Sequence, residues 1–302
     1  MDARSHGAHR SLGTGGSVIL VRMRFGLFVP PFHHLADPGR IASLATAAEA
    51  AGWDGFFLWD HMLAGPGTPL LDPWVTMAAM ACSTESLRLG AMVTPLSRRR
   101  PWVMARQATA LDLLSKGRLT LGVGLGDDGW MEFSSFGEVT DPRERGLRLD
   151  ESLEILRLLL GGDAVSYRGD FHAVTTDPFL PRPWQTPLPI WAAGRWPRRR
   201  PLERATRVQG FFPIFRQEDP RLAPAQADLL AIQRELKSRG VGPEYDLVVT
   251  RQADLAPAAR PRDADLGRLA EAGVTWLLDG IPPEPVDPGD VDRVVRLGPP
   301  RR

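Results

Sequence analysis

From Arg24 to Leu278 the chain alternates eight short apolar runs with longer segments whose apolar residues recur at helical spacing. Runs that are apolar on both faces suit strands buried inside a parallel sheet, and successive parallel strands need a crossover element between them. The alternation restricts the chain to α/β architectures built on a largely parallel sheet. The expected strands are 24–29, 56–59, 87–94, 119–124, 189–193, 210–215, 246–250 and 275–278. Between them Asp37-Pro38, Asp72-Pro73 and Pro101 open helices, since proline at a first helical position is already set for the helix. The helix over 143–160 carries the fullest signal: Asp141 as N-cap, Pro142 behind it and Glu144 completing a capping-box-like pattern. On the helix after Pro101, Val103, Gln107, Ala110, Leu111 and Leu114 share one face.

An internal echo supports a repeated unit. Ala48-Glu-Ala-Ala-Gly-Trp-Asp-Gly-Phe-Phe-Leu-Trp-Asp60 and Ala270-Glu-Ala-Gly-Val-Thr-Trp-Leu-Leu-Asp279 both read as helix end, glycine, buried strand, aspartate. Eight such strands in 302 residues fit a (β/α)8 barrel better than an open sheet. A dinucleotide-binding sheet would want GxGxxG after the first strand, and the sequence has none there. The expected layout is one barrel domain over 23–302, with an insertion after the fourth strand. A two-strand excursion, Val165–Arg168 and Phe171–Val174, comes before the fifth. Residues 1–22, rich in Gly, Ser, His and Arg, read as a disordered tail, and Met23 as the start of the folded chain.

A formal net charge of +1 gives no global field to gather nucleic acid or an anionic membrane. No run approaches the ~20 apolar residues of a membrane span. A single cysteine, Cys82, rules out an internal disulfide, suits a reducing cytoplasmic compartment and reads as a small buried filler. Only two lysines occur, Lys116 and Lys237, neither on an expected strand, so a Schiff base at the barrel mouth is not expected. Adjacent His33 and His34 would point apart on an extended chain, and no metal site is expected.

In a barrel of this kind the chemistry lies at the carboxyl ends of the strands. The second strand runs Gly55-Phe-Phe-Leu-Trp-Asp-His-Met62 and so delivers Asp60 and His61 there, as catalytic groups or as a polar loop cap. The fourth ends Gly122-Val-Gly-Leu-Gly-Asp-Asp-Gly-Trp130. Its glycines, Gly124 among them, would admit a flat ring, and Asp127 adds a second ionisable group. The fifth continues Gly194-Arg-Trp-Pro-Arg-Arg-Arg-Pro201, and the third delivers Ser97-Arg-Arg-Arg100. Both arginine runs read as a positive rim for an anion or as solvated charge.

These segments resemble the luciferase-like flavin-dependent oxidoreductase family, which includes luciferase-type monooxygenases and coenzyme F420-dependent enzymes. The resemblance is carried by Glu49-Ala-Ala-Gly-Trp-Asp, Trp59-Asp-His61, Leu87-Arg-Leu-Gly, Gly117-Arg-Leu-Thr-Leu-Gly-Val-Gly124, Phe133-Ser-Ser-Phe-Gly137, Tyr167-Arg-Gly169 and Pro187-Leu-Pro-Ile-Trp191. It implies His61 beside a cofactor ring, Met92-Val93 against the ring face through a non-proline cis peptide, and Asp127 in proton transfer. It places Gly194, Arg195 and Trp196 at the cofactor phosphate, where Ala193-Gly194 departs from the family's Gly-Gly pair. Phe32, Trp59, Trp102 and Trp130 are candidates for a substrate pocket. The implied cofactor is F420 or FMN. The arginine runs favour F420, whose acidic tail carries more charge than one phosphate. The expected activity is hydride exchange with a small organic substrate, or monooxygenation. A non-redox lyase or isomerase of a phosphorylated metabolite and a non-catalytic flavin binder are the alternatives, and a homodimer is left open.

Overall fold

The structure, a computed structural model, describes residues 23–216, 219, 221–255 and 263–300. The expected tail at 1–22 lies outside these residues. In chain order the first half comprises β1 (Arg24–Val29), α1 (Pro38–Ala50), β2 (Gly55–Leu58), α2 (Pro73–Ser83), β3 (Arg88–Ala91), β4 (Thr94–Pro95), α3 (Pro101–Leu114), β5 (Leu121–Gly124) and α4 (Pro142–Leu160). The second half comprises β6 (Val165–Arg168), β7 (Ala173–Thr176), β8 (Ile190–Arg195), α5 (Arg199–Ala205), β9 (Gly210–Ile214), α6 (Gln226–Ser238), β10 (Asp246–Gln252), α7 (Asp263–Glu271), β11 (Trp276–Gly280) and α8 (Pro288–Leu297).

The main sheet runs β3-β2-β1-β11-β10-β9-β8-β5-β4 with every pair parallel. β3 and β4 are two halves of one barrel strand, and the Met92–Val93 peptide between them is cis, where the resemblance places it. Closure comes from Leu89, which donates to Arg118 O at 3.0 Å and accepts from Thr120 N at 2.9 Å. Gly90 permits that approach, because a Cβ there would lie 2.2 Å from Thr120 O. The result is a (β/α)8 barrel, as the alternation predicts.

Strand residues alternate between two cores. Leu27, Phe56, Leu89, Leu121, Ile190, Val249 and Leu277 face the helices. Phe57, Trp191, Val248 and Trp276 face inward, and Phe57, Trp191 and Trp276 pack as a triad with centroids 5.4–5.6 Å apart. This plug seals the amino half of the barrel, and each such aromatic contributes on the order of 3–5 kcal/mol against truncation to alanine. Met92, Ala193, Phe212 and Leu278 share this inner cluster, with half-buried Phe28 and Val93 packed against it.

The echo has a common structure. Gly52 and Gly273 end α1 and α7 at φ +87° and +76°, a conformation open to glycine, and the chains then enter β2 and β11, which flank β1. The echo's closing aspartates are both paired with arginine: Asp60 with Arg99 at 2.9 Å and Asp279 with Arg251 at 2.6 Å.

Four local expectations change. Asp141 caps α4 through the amides of Arg143 and Glu144, but the Glu144 side chain pairs with Arg148 at 2.8 Å instead of closing the capping box. Cys82 is exposed, since it lies on the outward side of α2 with Val75. On α3 the apolar stripe Val103, Ala110 and Leu114 faces outward, while Met104, Ala105, Ala108 and Leu111 face the core. In the excursion, β7 starts two residues later than expected because the Glu151 carboxylate of α4 takes the amides of Asp170, Phe171 and His172. A buried carboxylate thus fastens the hairpin turn to the barrel.

Candidate active site at the barrel mouth

β2 is apolar until the strand clears the core, and its next residues emerge at the carboxyl rim. Asp60 accepts from Thr94 Oγ1 at 2.8 Å and from Arg99 Nη2 at 2.9 and 3.0 Å. Arg98 Nη2 donates to the Asp60 carbonyl at 3.2 Å and lies 3.6 Å from its carboxylate. Arg98 also reaches Glu132 Oε2 at 3.1 Å, with its side chain only 5% exposed. Glu132, 2% exposed, accepts from Met62 N at 2.9 Å and meets His61 Nδ1 at 3.0 Å. Two carboxylates and two guanidiniums therefore close a balanced buried network beneath His61, whose side chain is 23% exposed.

The electrostatics set the tautomer. Burial alone would raise the Glu132 carboxyl, but the hydrogen bond and charge of His61, the Met62 amide and Arg98 outweigh it and hold the group below the ordinary glutamate range. An ionised Glu132 accepts only, so a neutral His61 carries its proton on Nδ1. Nε2 is then the acceptor nitrogen, with no hydrogen bond to the described residues.

Aromatic side chains surround the imidazole. Trp59 stacks on Phe28 at 5.2 Å, and Phe32 meets Trp59, His61 and Trp130 edge-on at 6.0, 5.9 and 6.0 Å. Trp130 lies 4.9 Å from His61. Phe32 is set by pairing of two loops, with His33 N on Pro69 O at 3.0 Å and Leu71 N on Pro31 O at 3.1 Å. Trp102, a fourth pocket candidate, packs instead on His172 at 5.6 Å.

The other expected site residues are placed as follows. Met92 is buried and Val93 half-buried at the floor of the mouth. The space beside Gly124 is taken by Val93, whose Cγ2 lies 2.3 Å from where a Cβ would stand. Gly194 likewise admits Pro201 of α5, at 2.0 Å from such a Cβ, so its openness serves packing. Arg195 is exposed at the end of β8, and Trp196 is tied to α6 through Nε1 on Asp228 at 3.0 Å. Asp127 is exposed on the loop after β5, separate from the buried network. The expected positive rim is corrected in one half: Arg98 and Arg99 are consumed by Asp60 and Glu132, leaving Arg100 exposed. In the other half Arg198 and Arg200 are exposed and Arg199 pairs with Glu203 at 2.7 Å.

Glu132 escapes sequence reasoning because it lies 71 residues from its histidine. Its one signal is a lone carboxylate directly before Phe133-Ser-Ser-Phe-Gly137.

With strands, rim and inner core in place, the comparison with known proteins is decisive: the sequence pattern of luciferase-like monooxygenases matches residues 23–280. The chain belongs to that family. Among its luciferase-like relatives, an F420-dependent glucose-6-phosphate dehydrogenase of Beutenbergia cavernae is 32% identical over 179 residues, 57% of this chain and 50% of the relative. A 4-hydroxyprotoasukamycin monooxygenase of Streptomyces nodosus subsp. asukaensis is 36% identical over 148 residues, 47% of this chain and 38% of the relative. The match spans about half the length of the F420-dependent relatives. In structure, an F420-dependent secondary alcohol dehydrogenase bound to an F420–acetone adduct superposes with TM-score 0.72 at 16% identity, over 91% of this chain and 98% of that one. A long-chain alkane monooxygenase superposes with TM-score 0.71 at 15% identity, over 91% and 90%. Both share the barrel fold.

Among the described residues no helix is long and apolar enough to cross a membrane, and no cluster of three or more His, Cys, Asp or Glu is placed to hold a metal.

Proposed function

We propose that this luciferase-like chain is a redox enzyme that binds coenzyme F420, or FMN, in the barrel mouth and exchanges hydride with a small organic substrate. The observation that carries the reading is the His61–Glu132 pair, a fixed imidazole on a buried carboxylate at the carboxyl rim. The residues fit a flat ring with an anionic tail. Phe28 and Val93 offer an apolar floor, and Arg195 with Arg198 and Arg200 offers unburied cations for a phosphate. When bound, the cofactor supplies hydride exchange, and with FMN also oxygen activation.

The chain's own part is positional and protonic. Glu132 and the paired arginines hold the imidazole, and Nε2 takes a proton from a substrate oxygen or returns one. Asp127, exposed on the loop that carries Trp130, is the second candidate for proton exchange with solvent. F420 is preferred over FMN on two supports: the F420-dependent relatives and the exposed arginines near β8. A lyase or isomerase would want a lysine at the mouth, but Lys116 lies on the turn between α3 and β5, at the opposite end, and Lys237 is exposed on α6.

Fluorescence titration of the purified chain with F420 and with FMN tests the reading. F420 should bind more tightly and with steeper salt dependence, because rim contacts between exposed charges fade over a Debye length of about 8 Å. Replacing Arg198 and Arg200 by alanine should weaken F420 more than FMN, by about 0.2–1 kcal/mol per contact. His61→Asn should keep the cofactor and lose turnover, which separates an enzyme from a binder. Binding of neither cofactor would overturn the proposal.

A further inference from the structure

The mouth is chemically polarised, and the barrel order shows how. Counting β3 and β4 as one strand, β1 and β8 stand four places apart in the ring of eight, on opposite sides. The β1–β2 side carries Phe28, Phe32, Trp59 and, leaning in from the loop after β5, Trp130. The β8 side carries the exposed cation Arg195. On the aromatic side the two buried guanidiniums next to His61 are already spent, since Arg98 and Arg99 are paired with Asp60 and Glu132 at 2.9–3.6 Å; Arg100, at the start of α3, stays exposed. A phosphate brought there would find neutralised cations and two buried carboxylates. A flat apolar body would find stacking partners half-exposed around His61.

We infer that the substrate site is the β1–β2 side of the mouth and that it takes an uncharged molecule with a flat, apolar body, not a phosphorylated sugar. This rests on the redox reading of the same mouth. It separates the chain from relatives named for glucose 6-phosphate, although they share its fold and 32% identity over the matched part. Selectivity follows from desolvation: a phosphate moved onto an apolar wall loses its water without gaining a cation, whereas an aromatic ring gains contact area there.

The test uses two probes, acetophenone and glucose 6-phosphate. Their dissociation constants are measured by calorimetry on the full chain, free and loaded with F420. The wild type is compared with Trp130→Ala and Trp59→Ala. Acetophenone should bind at least tenfold more tightly than glucose 6-phosphate in both forms, and each tryptophan variant should weaken it about tenfold while leaving glucose 6-phosphate unchanged; tenfold corresponds to about 1.4 kcal/mol. F420 affinity, read separately by fluorescence, should stay within twofold in Trp130→Ala. Equal or tighter binding of glucose 6-phosphate would overturn the inference, as would acetophenone binding that ignores both tryptophans. Failure of F420 to bind would strike the redox reading instead, and the free-chain measurements would still decide the substrate class.

Discussion

Replacing Glu132 with glutamine isolates the centre of the buried network. The side chain keeps its volume, so no cavity forms, and what is lost is the charge that faces Arg98 Nη1 at 3.1 Å and His61 Nδ1 at 3.0 Å. Breaking one partner of a buried ion pair costs about 3–5 kcal/mol. Arg98 retains Asp60 at 3.6 Å, and the amide oxygen of glutamine can still accept from Met62 N, so the lower figure, about 3 kcal/mol, is the one to expect. At about 2 °C per kcal/mol for a domain of this size, melting should fall by about 6 °C.

The sign of the pH dependence follows from Glu132 being held below its ordinary range. A depressed carboxyl contributes stability in full above its unfolded pKa, about 4.3, and loses it as pH falls through the folded value. The gap between wild type and Glu132→Gln, measured by urea unfolding, should not shrink between pH 7 and about 5 and should close only below about 4.3. Turnover should fall by about a hundredfold, the lower range for a disturbed acid–base group. Equal stability at pH 7, or a gap that already closes between pH 7 and 5, would refute the reasoning.

One further outcome is expected. Glu151→Ala should speed hydrogen exchange at the Asp170, Phe171 and His172 amides while leaving barrel amides protected, because it removes the shared acceptor of all three; the loss should be about 1–3 kcal/mol.

Sequence alone determined the features set by near neighbours. Strand and helix periods, the Asp-Pro and Asp141 caps, the Gly52 turn and the emergence of His61 from an apolar strand depend on residues a few positions apart. Counting β3 and β4 together, the structure moves the strand limits by at most two residues and retains all eight strands. The helical period of α3 was legible too, but not which of its two mixed faces turns inward; that depended on the barrel surface against which Met104 and Leu111 pack.

Only tertiary structure decided the partners of the charges. Arg98, Arg99 and Arg100 are the same residue type in a row, yet two are held in ion pairs and one is exposed, because closure of the barrel brings the segment after β4 against Asp60 from the end of β2 and Glu132 from the segment after β5. Nothing local tells an arginine which carboxylate it will meet, or Gly124 that Val93 will fill its space. Ion pairing and close packing act between atoms brought together by closure of the ring, and no reading along the chain contains that distance.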